Sequence, residues 1–165
     1  MRTVAEDDAK STCDVCQDTD INVRMASIGD LQGLENIERS CFEYGRYSSS
    51  VLRGFLLHPF SITYVAEMEK RIVASEIIFL HRKSVEVASL AVMPEVRGRG
   101  FGTVLLRKAE DMARRHAIKL LTLHVDVNNL SAIGLYKKEG YLICERITEY
   151  YGKGKDAFYL TKNIE

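Results

Sequence analysis

The sequence has no net charge: 23 lysines and arginines balance 23 aspartates and glutamates. Bulk electrostatic attraction to nucleic acid or to an anionic membrane surface is therefore unsupported, although a local basic patch remains compatible with neutrality. No apolar run reaches the ~18 residues that a membrane span requires. The first residues lack the apolar core of a signal peptide, and a cytoplasmic location is the expectation that follows. There are only two prolines, Pro59 and Pro94, and each falls where a regular segment stops. No repeat, low-complexity run or interdomain linker is visible.

Cysteine is scarce as well, at positions 13, 16, 41 and 144. Cys13 and Cys16 form a lone Cys-x-x-Cys, whereas a structural zinc site takes four ligands, so no metal is expected. The pair lies in an acidic stretch without helical or strand period, and residues 1–20 read as a poorly ordered tail. Residues 21–165 remain as one domain. Cys41 and Cys144 sit in apolar patterns and are expected to be small buried residues.

What the sequence does contain is concentrated between Val85 and Ala117. Val85 to Val92 is β-branched and apolar and reads as a strand ending before Pro94. Val104 to Ala117 places Leu105, Ala109, Met112 and Ala113 on one face and charges on the other, as an amphipathic helix does. Between them lie Arg97, Gly98, Arg99, Gly100, Phe101, Gly102 and Thr103. Glycines let backbone N–H groups approach a phosphate, a helix N-terminus adds partial positive charge, and arginines add full charge. A diphosphate is the ligand this pattern suits. A P-loop is excluded because no Gly-Lys-Ser/Thr follows, and a dinucleotide fingerprint because the glycines fall at 98, 100 and 102.

The remaining pattern, Arg-x-x-Gly-x-Gly at Arg97, Gly100 and Gly102, resembles the acetyl-CoA pyrophosphate loop of the GNAT N-acetyltransferase superfamily. The preceding Leu90-Ala91-Val92-Met93-Pro94-Glu95 is similar to that family too. The element order read along the chain, β-α-α-β-β-β-α-β-α-β-β, matches its fold: a mixed, mainly antiparallel α/β sheet with helices on both faces. That order includes helices capped near Asp30, near Ser48 to Ser50 and at Asn128 or Asn129, and final strands over 141–149 and 156–162.

A narrower resemblance lies downstream. His124 to Tyr141 is similar to the strand–helix segment of RimI-type enzymes and of N-terminal acetyltransferase catalytic subunits, including archaeal and NatA-type members. Tyr150-Tyr151-Gly152-Lys153-Gly154-Lys155-Asp156-Ala157 resembles their tyrosine hairpin, with Lys155 where glutamate is usual. Ala74 stands where a glycine is frequent. Tyr44 directly follows Glu43 without the usual asparagine between them.

The resemblance implies acetyl-CoA as cofactor, with coenzyme A as product, and protein or peptide N-termini as substrate. Backbone groups of Leu90, Ala91 and Val92 would pair with the pantetheine arm, and Asn129 would cap its helix and touch the same arm. Tyr136 would protonate or hydrogen-bond the departing sulfur. Glu43, Tyr44, Tyr150 and Tyr151 would line the acceptor cleft. The base is left open among His124, Glu86 and Glu43, with His124 and Glu86 sharing one water if they face the same gap. Association with a ribosome or an auxiliary subunit is left open, as is the oligomeric state.

Chemistry narrows the acceptor. A peptide α-amine has a pKa of about 7.7–8.0 and a lysine amine about 10.4, a gap worth roughly 3.4 kcal/mol of deprotonation. A modest base such as neutral imidazole suffices for the former. Transfer to a lysine or a small amine is the alternative, and a non-catalytic acyl-CoA-binding module is the rival of a different class.

Overall fold

The computed structural model describes residues 21–165, and the expectations placed on residues 1–20, including Cys13 and Cys16, lie outside the described residues. Seven strands form one sheet in the order β1-β2-β3-β4-β5-β7-β6. They are β1 Asn22–Met25, β2 Ser61–Met68, β3 Arg71–Leu80, β4 Val85–Val92, β5 Leu120–Asp126, β6 Leu142–Ile147 and β7 Ala157–Asn163. Four α-helices accompany them: α1 Leu31–Cys41, α2 Ser49–Leu57, α3 Phe101–Arg115 and α4 Leu130–Lys138. The element order is the one read from the sequence.

Alternation along the strands assigns the two faces. Val85, Val87, Leu121, Leu123 and Val125 join Leu105, Leu106, Ala109 and Ala113 of α3 in the larger apolar cluster. Val65 and Ile77 instead meet Leu34 of α1 and Leu52 of α2, with Tyr47, Phe55 and Phe79 packed around them. A strand residue between two members of the first cluster therefore points to the α1–α2 side. Glu86, Thr122, His124 and Asp126 share that side.

All pairings are antiparallel except β4 with β5. That parallel contact is short, joining only Val85, Glu86 and Val87 to Leu121, Thr122 and Leu123. Immediately beyond it β4 carries a bulge: Ile78 pairs with Val87 and Ile77 with Ser89, leaving Ala88 as the extra residue. An inserted residue bends and twists its strand. From Ala88 onward β4 follows β3 alone, while His124 to Asp126 follow β7 alone. The sheet consequently splits into a V between Ser89–Val92 and His124–Asp126.

Several sequence expectations need correction. Asp30 is the N-cap position of α1 but makes no side-chain cap bond. Its carboxylate instead accepts from the Ser27 backbone N–H at 2.7 Å and from Arg24 at 2.8 Å, closing a preceding one-turn 3₁₀ helix, Ile28–Asp30. The central helix begins at Phe101, three residues earlier than the periodicity indicates. Cys144 is exposed because β6 is an edge strand whose residues are exposed except at its last position, and Cys41, at the last position of α1, is half-buried. Among the described residues no helix is long and apolar enough to cross a membrane.

Candidate active site

The β4–α3 connection is built for close backbone approach. After Val92 the chain makes one 3₁₀ turn, Pro94–Val96, and passes through Gly98 at φ +76° and Gly100 at φ +88°. Both angles lie in the left-handed region that disfavours a Cβ, and a Cβ on either glycine would meet nothing within 4 Å among the described residues. The ground in front of the loop is open. Gly100 caps α3, with Val104 N–H donating to its carbonyl at 3.0 Å. The N–H groups of Phe101, Gly102 and Thr103 in the first turn have no partner within the helix. Gly102 is small for another reason, since a Cβ there would lie 2.8 Å from Leu135 Cδ2. It lets α3 close on α4.

The side chains of this segment do less than its backbone. Phe101 is buried in the core, and Thr103 Oγ1 donates to Glu139 Oε1 at 2.9 Å. Arg97 folds back so that its Nε donates to the Val92 carbonyl at 3.0 Å, tying the loop to the strand end. Arg99 reaches the Met68 sulfur at 3.8 Å. An anion in the cradle would be held by N–H groups and helix dipole first, with guanidinium charge nearby.

The split in the sheet lies beside this cradle. Leu90, Ala91 and Val92 pair with Glu76, Ser75 and Ala74 on one edge and leave the edge facing β5 unpaired. An unpaired strand edge is a template for an extended ligand with amide groups. On the other limb of the V, Asn129 caps α4 by accepting from Ala132 N–H at 3.1 Å. Tyr136 lies seven residues along α4. It is 6% exposed and meets the Tyr141 ring edge-on at 5.8 Å. Burial, then the charge of Glu76, raises its pKa well above the usual phenol value. The hydroxyl stays protonated, as a proton donor to sulfur must.

His124 is half-buried near the end of β5. Its ring stacks on Tyr150 at 4.4 Å, with planes 11° apart, and tilts against Tyr159 at 5.1 Å. Desolvation lowers its pKa below 6.5, and the charge of Glu86 works in the opposite direction. The imidazole is neutral at pH 7. Glu86 shares the sheet face with His124, but its carboxylate is engaged elsewhere, with His81 Nε2 at 2.9 Å.

Three of the four expected cleft residues come together. Tyr44 meets Tyr151 at 6.5 Å, Tyr151 meets Tyr150 at 4.8 Å, and Tyr150 covers His124. The Tyr44 hydroxyl donates to the Asp126 carboxylate, and Lys155 Nζ sits 3.3 Å from the Tyr44 ring centroid. These contacts lash the α1–α2 loop to β5 and to the β6–β7 turn. That hydrogen bond, with burial second, raises the Tyr44 pKa, and it lowers that of Asp126 against the opposing effect of burial. Buried Glu38 holds the far side of the loop by accepting from Tyr47 N–H at 2.9 Å. Glu43 stands apart, in a groove of about 540 Å³ with Arg39, Cys41, Arg46, Pro94 and Arg97.

Asp126, Lys155, Tyr159 and His81 were missed in the sequence. Asp126 had one usable signal, the two-residue period that puts it on the His124 face. Glu76 was missed too: it is fully buried on β3, and neither carboxylate oxygen has a partner among the described residues.

The acetyltransferase (GNAT) family model matches residues 31–141. An uncharacterized N-acetyltransferase of Methanocaldococcus jannaschii is 33% identical over 85% of this chain and 90% of its own. A putative ribosomal-protein alanine N-acetyltransferase of Bacillus subtilis is 28% identical over 86% and 95%. The crystal structure of Ard1 from Thermoplasma volcanium superposes with a TM-score of 0.80 at 19% identity, covering 87% of this chain and 97% of that one. The chain belongs to the GNAT acetyltransferase family. It is an acetyl-CoA-dependent N-acetyltransferase of the GNAT type. The glycine cradle open in front and the unpaired β4 edge fit the pyrophosphate and pantetheine of that cofactor.

Proposed function

We propose that this chain transfers the acetyl group to the α-amine of protein N-termini by direct attack within a ternary complex. The observation that carries this reading is a neutral, partly desolvated His124 at the split in the sheet, roofed by a tyrosine cluster that joins three separate elements. A base of that strength suits an amine with a pKa of about 7.7–8.0 far better than one near 10.4. The Bacillus subtilis relative, by its name, acts on an alanine of a ribosomal protein, which supports the same acceptor class.

In this reading acetyl-CoA supplies an activated thioester. The N–H groups of Phe101, Gly102 and Thr103 hold its diphosphate, and the free edge of Leu90 to Val92 aligns the pantetheine and polarises the carbonyl. Tyr44, Tyr150 and Tyr151 grip the acceptor backbone through apolar area plus one hydroxyl each. His124 takes the amine proton, and Tyr136 offers its hydroxyl to the departing sulfur. The test is a panel of short peptides with varied first residues, each with a free or a blocked α-amine. Acetylation confined to the free-amine members supports the reading, and equal acetylation of blocked peptides carrying lysine overturns it.

A further inference from the structure

Each turnover that uses His124 as base leaves one proton on an imidazole poorly suited to keep it. That ring is covered by Tyr150 and Tyr159, and desolvation disfavours its charged form. The carboxylate whose charge it feels belongs to Glu86, on the same sheet face. Glu86 is itself paired with His81, whose Nε2 lies 2.9 Å from its Oε2.

The pair spans the boundary between cleft and solvent, since the His81 side chain is 52% exposed and that of Glu86 32%. His81 is held rather than free. Its backbone N–H donates to the Ser84 carbonyl at 2.9 Å in the β3–β4 turn. Its ring lies on Phe79 at 6.5 Å, with planes 29° apart. Phe79 pairs with Glu86 across the two strands, which brings ring and carboxylate to the same place. Other titratable groups near the pair among the described residues are His58, 6.0 Å from Phe79, Arg82 and Lys83 of the turn, and Tyr47 and Tyr150, which feel the Glu86 charge.

We infer that His81 is a positioning residue for catalysis, a proton outlet that carries the acceptor's proton from Glu86 to solvent. The amine N–H bond breaks as the His124 N–H bond forms. Solvent in the cleft passes that proton to the Glu86 carboxylate. The Glu86 O–H bond then breaks as His81 Nε2 gains the proton, and the resulting imidazolium releases a ring proton to bulk buffer. No electrons change hands: an acceptor that enters as its ammonium gives up two N–H protons for each acetyl group transferred, one restoring the Tyr136 hydroxyl that protonated the sulfur and the other leaving through His81. Imidazole suits the last station because it exchanges protons near neutral pH. The inference rests on His124 as base but is indifferent to whether the amine is an α-amine or a lysine.

Two measurements on the full chain test it, the first needing no acceptor. Histidine ring titrations followed by NMR are compared in wild type and Glu86→Gln. His124, which feels the Glu86 charge, should titrate at lower pH in the variant, and an unmoved His124 overturns the coupling on which the outlet depends. The second follows kcat/KM at low buffer concentration with whichever amine the wild type acetylates. His81→Ala should lose about tenfold, less than the ~10²-fold of a residue in direct acid–base contact, because His81 acts through Glu86. Added imidazole should restore that rate, and the KM for acetyl-CoA should not change. His81→Gln, which keeps a hydrogen bond but fills the space and carries no proton, should be equally slow and refuse rescue. A wild-type rate in both variants, or a loss that imidazole does not restore in His81→Ala, overturns the inference. Rejection of blocked or free α-amines bears on the acceptor assignment alone.

Discussion

Tyr150 lies face to face with His124, ring centroids 4.4 Å apart and planes 11° from parallel. A residue of the β6–β7 turn thereby sets the solvent exposure of the candidate base on β5. Desolvation places its pKa below 6.5, so the neutral, proton-accepting form prevails above that pH. The rate should rise with pH through two ionisations, the imidazole below 6.5 and an α-amine at about 7.7–8.0. His124→Gln should remove the lower one and cost about 10²-fold in kcat/KM, about 2.7 kcal/mol of transition-state stabilisation. Tyr150→Ala should move the lower ionisation up toward 6.5, whereas Tyr150→Phe, which keeps the stack, should not. The lowered pKa also gives folding a pH dependence: the stability it reflects is complete above 6.5 and is lost as pH falls through the folded value. Steady-state pH profiles of the three variants check the assignment, and an unchanged profile in His124→Gln shifts the base to Glu86 or Glu43.

The cofactor cradle can be separated from general fold stability. Arg97→Glu places a carboxylate beside the diphosphate site and should weaken acetyl-CoA binding at least about tenfold, or 1.4 kcal/mol, while loss of the bond to the Val92 carbonyl costs no more than about 0.5–1.5 kcal/mol of stability. Gly100→Ala puts a side chain at φ +88° and should cost about 1–2 kcal/mol of stability. Gly134→Ala makes the useful contrast. It lies inside α4 with open space at its Cβ and should gain roughly 0.5–1 kcal/mol. Calorimetric titration and thermal denaturation of the three variants distinguish these effects, and unchanged affinity in Arg97→Glu would defeat its role.

Tyr44 and Asp126 tie the α1–α2 loop across the cleft. Tyr44→Phe keeps the ring under Lys155 but loses the hydroxyl, a net hydrogen bond of about 0.5–1.5 kcal/mol. The acceptor KM should rise by roughly two- to tenfold, with kcat and the acetyl-CoA KM near wild type. A fall in kcat alone would place Tyr44 in the chemistry rather than in acceptor binding.

Glu76 is fully buried, and among the described residues neither of its oxygens has a hydrogen-bond partner. Burial first, and Glu110 second, raise its pKa well above 4.5. Native protein therefore keeps a proton that the unfolded chain gives up. The sign follows: stability declines as pH rises above about 4.5, until the raised native pKa is passed. Glu76→Leu should remove that decline and stabilise the protein at pH 7 by roughly 1–3 kcal/mol, the cost of an unsatisfied buried polar group. Denaturant titrations at pH 5 and pH 8 measure it; a destabilised variant would show that the carboxyl is held by an interaction of its own.

The order of elements was legible because strands here alternate or run apolar and helices carry clear 3.6-residue faces. The loop at Arg97 to Thr103 was legible because phosphate binding needs glycines at fixed spacing. Burial of Cys144 was misjudged because an apolar pattern does not reveal that its strand lies at the sheet edge. Asp30 stands at the expected N-cap position but makes no cap bond, because its carboxylate serves Ser27 and Arg24 rather than its own helix. Helix α3 starts early because Gly100, in the left-handed region, can cap it directly. The bulge at Ala88 that opens the sheet leaves no local mark in the sequence. Pairings such as His81 with Glu86 and Tyr44 with Asp126 depend on turns and loops that fold over 5 and 82 residues respectively, beyond the reach of periodicity.

The acceptor is tested most directly by one peptide carrying both a free α-amine and an internal lysine. After limited reaction with acetyl-CoA, fragmentation mass spectrometry locates the added acetyl group. The account predicts modification at the α-amine, with lysine untouched while free N-terminus remains. Acetyl found on the lysine side chain, with the α-amine still free, would contradict it.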